Sequence, residues 1–245
     1  MKKYFFANWK MYLNFNESVA LANDFAEVFS KISEDKVIAV FPSAVALKEV
    51  EKVLTPNIAT GPQNFYWVEK GGYTGEVSAQ MYKECGCIYA LIGHSERRHI
   101  FKETDEDVNN KLKAAILSDL IPVLCVGENK IERDSELQDI IVKKQLELAL
   151  QNQTFNGKDF FVAYEPVWAI GTGENCSAVS AEHMAEKIRA WVKEFAPSLE
   201  VKVLYGGSVR PQNISEYLKE RNIDGVLVGG ASAKLEDWKN IVFAE

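Results

Sequence analysis

Basic excess, cysteine and long apolar runs are all scarce in this chain. Of its 245 residues, 28 are Lys or Arg and 35 are Asp or Glu, a formal net charge of −7, which argues against a nucleic-acid partner and against an anionic membrane surface. No apolar stretch is long enough to span a bilayer. The opening Met1-Lys2-Lys3-Tyr4-Phe5-Phe6-Ala7 sets basic residues before an apolar run, but the run is short and stops at Asn8 and Lys10. It is therefore not read as a signal peptide, and a cytoplasmic protein is expected. The four cysteines, Cys85, Cys87, Cys125 and Cys176, are too few for a disulfide framework. Cys85-Gly86-Cys87 has no second Cys pair or His cluster nearby, so packing thiols are expected there and no metal. There is no GxGxxG after the first predicted strand and no GxxxxGK[ST] anywhere, which argues against dinucleotide or ATP binding.

Linkers and low-complexity tracts are missing too, so residues 1–245 read as one domain, and a hydrophobic content of 47% is enough for a large core. Short β-rich runs recur roughly every 30 residues, each followed by a helical pattern, the spacing of repeated βα units. Eight strands are predicted: 4–8, 37–41, 58–61, 89–93, 121–125, 160–164, 201–205 and 225–228. Runs such as Tyr89-Ala90-Leu91-Ile92 are apolar throughout, as in strands covered on both faces. Between them lie helical stripes, Leu21, Phe25, Val28, Phe29 and Ile32 in one, Met184, Ile188, Trp191, Val192 and Phe195 in another. Thr104 before Asp105-Glu106-Asp107 has the form of a capped helix start. Eight such units suit a closed (β/α)8 barrel, eight parallel strands wrapped by helices, better than a doubly wound open sheet.

In that barrel every strand's C-terminal end opens onto one face. Asn8 and Lys10 follow the first strand, His94-Ser95-Glu96-Arg97-Arg98 the fourth, Glu165 the sixth, Gly206-Gly207-Ser208 the seventh and Gly229-Gly230 the eighth. Glu165 ends an apolar strand, and Pro166 prevents simple continuation of strand or helix. Gly171 and Gly173 then give the following loop backbone freedom and bare N–H groups suited to an anion. A carboxylate on a rigid strand end beneath such a loop points to proton abstraction in a site that closes. The plainer alternative, an ordinary surface loop, is disfavoured by the partners at the other strand ends.

Asn8-Trp9-Lys10-Met11, Gly93-His94-Ser95-Glu96-Arg97-Arg98, Cys125-Val126-Gly127-Glu128, residues 163–173, Tyr205-Gly206-Gly207-Ser208-Val209 and Val228-Gly229-Gly230-Ala231-Ser232 together resemble the triosephosphate isomerase family. The likeness spans nearly the whole chain. It implies interconversion of dihydroxyacetone phosphate and D-glyceraldehyde 3-phosphate, a step of glycolysis and gluconeogenesis, with no cofactor or metal. Under it Glu165 moves the carbon-bound proton, with a pKa raised toward working pH once water is excluded. His94, at a helix N-terminus, polarises the carbonyl and shuttles protons between oxygens. Lys10 and Asn8 add charge and a donor near the substrate oxygen, while Gly171, Ser208, Gly229 and Gly230 hold the phosphate. Lysine is most often a solvated surface group, so Lys10 rests on family position. Glu96 either pairs with Arg97 or Lys10 or assists proton transfer, Ser95 is expected to cap the helix and orient His94, and Cys125 to pack near Glu165.

The loop from Gln63 to Ser78, with Tyr73-Thr74-Gly75-Glu76, is similar to the family's dimer loop and implies a homodimer in which Thr74 reaches the partner's Asn and Lys. Glu174-Asn175-Cys176 departs from the family's usual hinge, and Tyr12, Pro62 and Ala233 stand where other residues are more common. None of these removes a catalytic group. Another phosphosugar barrel enzyme, an epimerase or a lyase, is an alternative, though no His/Asp set suits the metal such epimerases often need. A non-catalytic phosphosugar-binding protein is a third reading.

Overall fold

A computed structural model describes residues 2–155, 157, 159–170 and 176–244. Eight strands appear in chain order as β1 Lys3–Asn8, β2 Lys36–Phe41, β3 Ile58–Thr60, β4 Tyr89–Ile92, β5 Ile121–Val126, β6 Phe160–Tyr164, β7 Val201–Tyr205 and β8 Gly225–Val228. They depart from the sequence-based ranges by single residues at a few ends. All their pairings are parallel, in the order β3-β2-β1-β8-β7-β6-β5-β4. The outer strands of that order meet where Ile88 N donates to Thr60 O at 2.9 Å and Leu91 N to Pro62 O at 3.1 Å. The sheet is thus closed into a (β/α)8 barrel. Pro62 has no N–H to donate in return, so this seam is hydrogen-bonded more sparsely than a regular ladder.

The period-two alternation of the strands sorts the core into two layers. Tyr4, Phe6, Phe41, Tyr89, Leu91, Phe161 and Leu204 fill the barrel interior, whereas Phe5, Ala7, Ile38, Val40, Ile92 and Val162 face the helices. Inside, Phe161 packs edge-on to Tyr4 and Tyr89 with ring centroids at 4.9 and 5.7 Å, contacts worth about 0.5–1.5 kcal/mol each beyond area burial. Lys202, paired with Asp159, lies over the Tyr4 and Phe161 rings and closes the mouth at the strands' N-terminal ends. The opposite mouth is left for polar groups.

The helices are α1 Phe15–Val28, α2 Leu47–Val53, α3 Ala79–Glu84, α4 Ser95–His99, α5 Asp105–Leu117, α6 Lys130–Asp134, α7 Gln138–Leu150, α8 Ala178–Phe195, α9 Ile214–Leu218 and α10 Leu235–Val242. Thr104 caps α5 as its sequence suggested: its hydroxyl accepts from Asp107 N at 3.2 Å and Asp107 Oδ2 accepts from Thr104 N at 2.9 Å. Such a cap contributes about 1 kcal/mol. The stripe drawn through Phe29 and Ile32 outruns its helix, because α1 ends at Val28. Phe29 is nevertheless fully buried, stacked on Phe243 with centroids 5.6 Å apart, so hydrophobic burial continued after the helical period stopped. No helix among the described residues is long and apolar enough to cross a membrane.

Candidate active site

At the strands' C-terminal mouth lies a cavity of about 270 Å³, lined by Asn8, Lys10, His94, Glu165, Ser208, Gly229 and Gly230 among others. Ligand sites run from roughly 300 to 1,000 Å³, so this one suits a small polar metabolite. Each of those residues had been singled out from sequence. The structure brings them together from β1, β4, β6, β7 and β8. Gly171 lies outside the described residues, as do Gly173, Glu174 and Asn175.

Glu165 is seated by main chain. Its N–H donates to Val126 O at 2.8 Å, and β5 runs on into Gly127, where an added Cβ would stand 1.8 Å from Glu165 O. Only glycine lets the two strand ends approach that closely. The side chain is 2% exposed, yet both its oxygens are bound: Oε1 lies 3.0 Å from His94 Nε2, and Oε2 accepts from Ser95 N at 2.7 Å. Burial is the largest influence and pushes the carboxyl's pKa up. The electrostatic pull of His94 and its hydrogen bond, the Ser95 N–H and Lys10 together outweigh that and hold the group below its ordinary value of 4.5. The raised pKa expected of a closed site concerns a different arrangement from this one, in which donors replace the lost water.

His94 is itself the cap of α4, its Nδ1 accepting from Glu96 N at 3.2 Å. A ring nitrogen that accepts carries no proton, so the imidazole hydrogen sits on Nε2 and points at Glu165. Ser95 therefore does not cap the helix; it supplies a main-chain donor to the carboxylate. Lys10 has φ of +49°, a left-handed conformation that costs a side-chain-bearing residue about 1–2 kcal/mol. It is held there by its N–H donating to Asn8 Oδ1 at 3.1 Å and by Gln63 Nε2 donating to Lys10 O at 2.8 Å. With Oδ1 engaged, Asn8 has its amide NH2 to offer a ligand. Lys10 Nζ pairs with Glu96 Oε1 at 2.8 Å, whereas Arg97 binds Glu103. Glu96 is thus a partner of Lys10.

Ser208 Oγ donates to Ala169 O at 2.7 Å, tying the turn after β7 to the short 3₁₀ helix Val167–Ala169. Gly230 opens a second 3₁₀ helix, Gly230–Ala233, fastened by Ser232 Oγ to Val228 O at 2.9 Å and by Trp9 Nε1 to Ser232 O at 3.1 Å. Cys125 is fully buried inside the barrel, and burial followed by the Glu165 charge pushes its thiol well up; such a thiol packs and does not react. All four cysteines are free. Among the described residues, no group of three or more His, Cys, Asp or Glu side chains could hold a metal ion.

Sequence reasoning gave several contributors no role in the site. Gln63 reaches both Lys10 O and Phe41 O. Glu128, fully buried, accepts at Oε1 from Tyr164 OH at 3.0 Å and Trp168 Nε1 at 2.9 Å, and its pKa is raised by burial. Tyr12 and Arg210 line the cavity. A glutamine or an arginine on a polar loop carries no signal of its own; Glu128, bounded by apolar strands yet ionisable, carried the best one available.

A closed parallel barrel whose strand ends surround a polar cavity defines a (β/α)8-barrel enzyme. The triosephosphate isomerase family profile matches residues 3–245. Triosephosphate isomerase from Dictyoglomus thermophilum is 42% identical over 246 residues, covering 98% of each chain. The enzyme from a Thermoanaerobacter species is 43% identical over 96% of each chain, and that from Clostridium tetani 42% identical over 96% of this chain and 93% of its own. This chain belongs to the triosephosphate isomerase family.

Proposed function

We propose that residues 1–245 form one catalytic barrel domain, cytoplasmic and without cofactor, that interconverts dihydroxyacetone phosphate and D-glyceraldehyde 3-phosphate. The carboxylate of Glu165 takes a proton from the substrate carbon beside the carbonyl, and the C–H electron pair becomes the double bond of an enediolate. His94, with its proton on Nε2, donates to the oxygen where charge develops, while Lys10 and the Asn8 amide stabilise that charge. His94 gives its proton to the former carbonyl oxygen and takes one from the hydroxyl on the first carbon, and the protonated Glu165 returns its proton to the former carbonyl carbon, which leaves the new carbonyl on the first. Gly171, Ser208, Gly229 and Gly230 hold the phosphate.

The observation that carries this reading is the shared cavity, in which Asn8, Lys10, His94 and Glu165 border the same space as Ser208, Gly229 and Gly230. Glu165, with both oxygens occupied, has to release His94 and Ser95 before it faces substrate. Once it does so in a closed site, fewer donors offset burial and the carboxylate becomes a stronger base. A coupled assay with glyceraldehyde 3-phosphate tests the reading: wild type turns over and Glu165→Gln does not. Wild-type protein without turnover, or a fully active Glu165→Gln, overturns it.

A homodimer accompanies this function. Large apolar side chains stand exposed on the loops that follow four successive strands, Met11 at 94%, Val45 at 79%, Tyr73 at 43% and Phe101 at 65%. Such a concentration on one rim suits burial against a second copy. Sedimentation equilibrium at assay concentrations reads it directly; a monomer with full turnover refutes it.

A further inference from the structure

The charges around the cavity do not favour an anion until one residue is added. Glu165 is an ionised carboxylate at its floor, and the cation of Lys10 is met by Glu96 at 2.8 Å. A phosphate dianion approaching those three groups meets a net negative site on a chain whose formal charge is −7. The other permanent cation lining the cavity is Arg210. It is exposed and forms no ion pair among the described residues. Its position is set by the turn after β7: Arg210 N donates to Asn213 Oδ1 at 2.8 Å, and Asn213 Nδ2 donates to Ser208 O at 3.0 Å. One asparagine therefore anchors both Ser208, at the phosphate end of the proposed site, and the arginine two residues on.

We propose that Arg210 is the substrate-capturing residue of this enzyme, drawing the phosphate dianion into the cavity and contacting it at the rim. A guanidinium stays charged at every working pH and presents paired N–H donors that match phosphate oxygens. Because it meets the dianion on arrival and keeps that contact through the reaction, it acts on kcat/KM and leaves kcat alone. The inference rests on the phosphorylated substrate proposed above.

The test uses the full chain with Arg210→Gln, Arg210→Glu and Arg210→Lys. At about 0.01 M salt the Debye length is about 30 Å and charges act over the whole rim; at about 1 M it is about 3 Å. At low salt kcat/KM falls about threefold for Arg210→Gln and about tenfold for Arg210→Glu, with kcat within about twofold of wild type. Arg210→Lys keeps most of the wild-type value, and the gaps narrow at high salt. A salt-independent loss, a loss confined to kcat, or no loss in Arg210→Glu overturns the role of Arg210 while leaving the isomerase reading intact. Wild type without turnover of glyceraldehyde 3-phosphate removes both.

Discussion

His94 Nε2 and Glu165 Oε1 lie 3.0 Å apart, so the proposed acid and the proposed base are hydrogen-bonded to each other in the structure. The bond is charge-assisted and buried, and it defines the tautomer of one partner and the ionised state of the other. Any ligand that engages Glu165 must compete with it. The same pair therefore orders the site before substrate arrives.

Replacing His94 by Gln keeps a side-chain donor toward Glu165 but removes the ring's ability to give and take a proton. We expect kcat to fall about a hundredfold, the lower end of general acid–base contributions, with KM changing far less. Steady-state kinetics decide it; a change confined to KM contradicts the assignment.

Glu165 has a folded pKa below the ordinary 4.5, so it stabilises the fold at neutral pH. That contribution is present above the unfolded-state pKa and drains away as pH falls through the lower folded value. Thermal unfolding of wild type and Glu165→Gln between pH 7 and pH 3 should show a wild-type advantage that shrinks on acidification. Parallel Tm curves across that range would count against the ionised pair.

Lys10 occupies a left-handed conformation at φ +49°, and glycine adopts that conformation without penalty. Lys10→Gly should abolish most activity while leaving urea stability equal to or above wild type, because about 1–2 kcal/mol of backbone cost is relieved against the loss of one part-buried ion pair. A clearly less stable variant means the lysine side chain holds the loop after all.

At Gly127 a methyl group has nowhere to go, with Glu165 O 1.8 Å from its would-be position. Gly127→Ala should lose about 3 kcal/mol, on the order of 10 °C in Tm, and should displace the carboxylate enough to lower kcat. Differential scanning calorimetry with parallel kinetics reads both; a wild-type Tm refutes the close approach.

Barrel and strand ends were legible because parallel strands buried on both faces are written as short apolar runs, and polar residues at their termini interrupt those runs abruptly. Glu165 after Phe160-Phe161-Val162-Ala163-Tyr164 is the clearest instance. Gln63 and Arg210 were not legible, since nothing in a polar loop states which way a side chain turns. Ser95 was read by its type as a cap, but the hydroxyl gives way to His94 Nδ1, and what matters of Ser95 is its main-chain N–H.

Periodicity and the chemistry of single residues thus determined the eight-unit barrel and the face on which its polar groups gather, because burial pattern is a local property of a chain. Only the tertiary structure decided that Glu165 is held below its ordinary pKa and that Lys10 is paired with Glu96. It alone put Arg210 on the rim of the same cavity. Those are properties of distances between residues remote in sequence, set by how β1, β4, β6 and β7 are ordered around the barrel, and no local pattern encodes them.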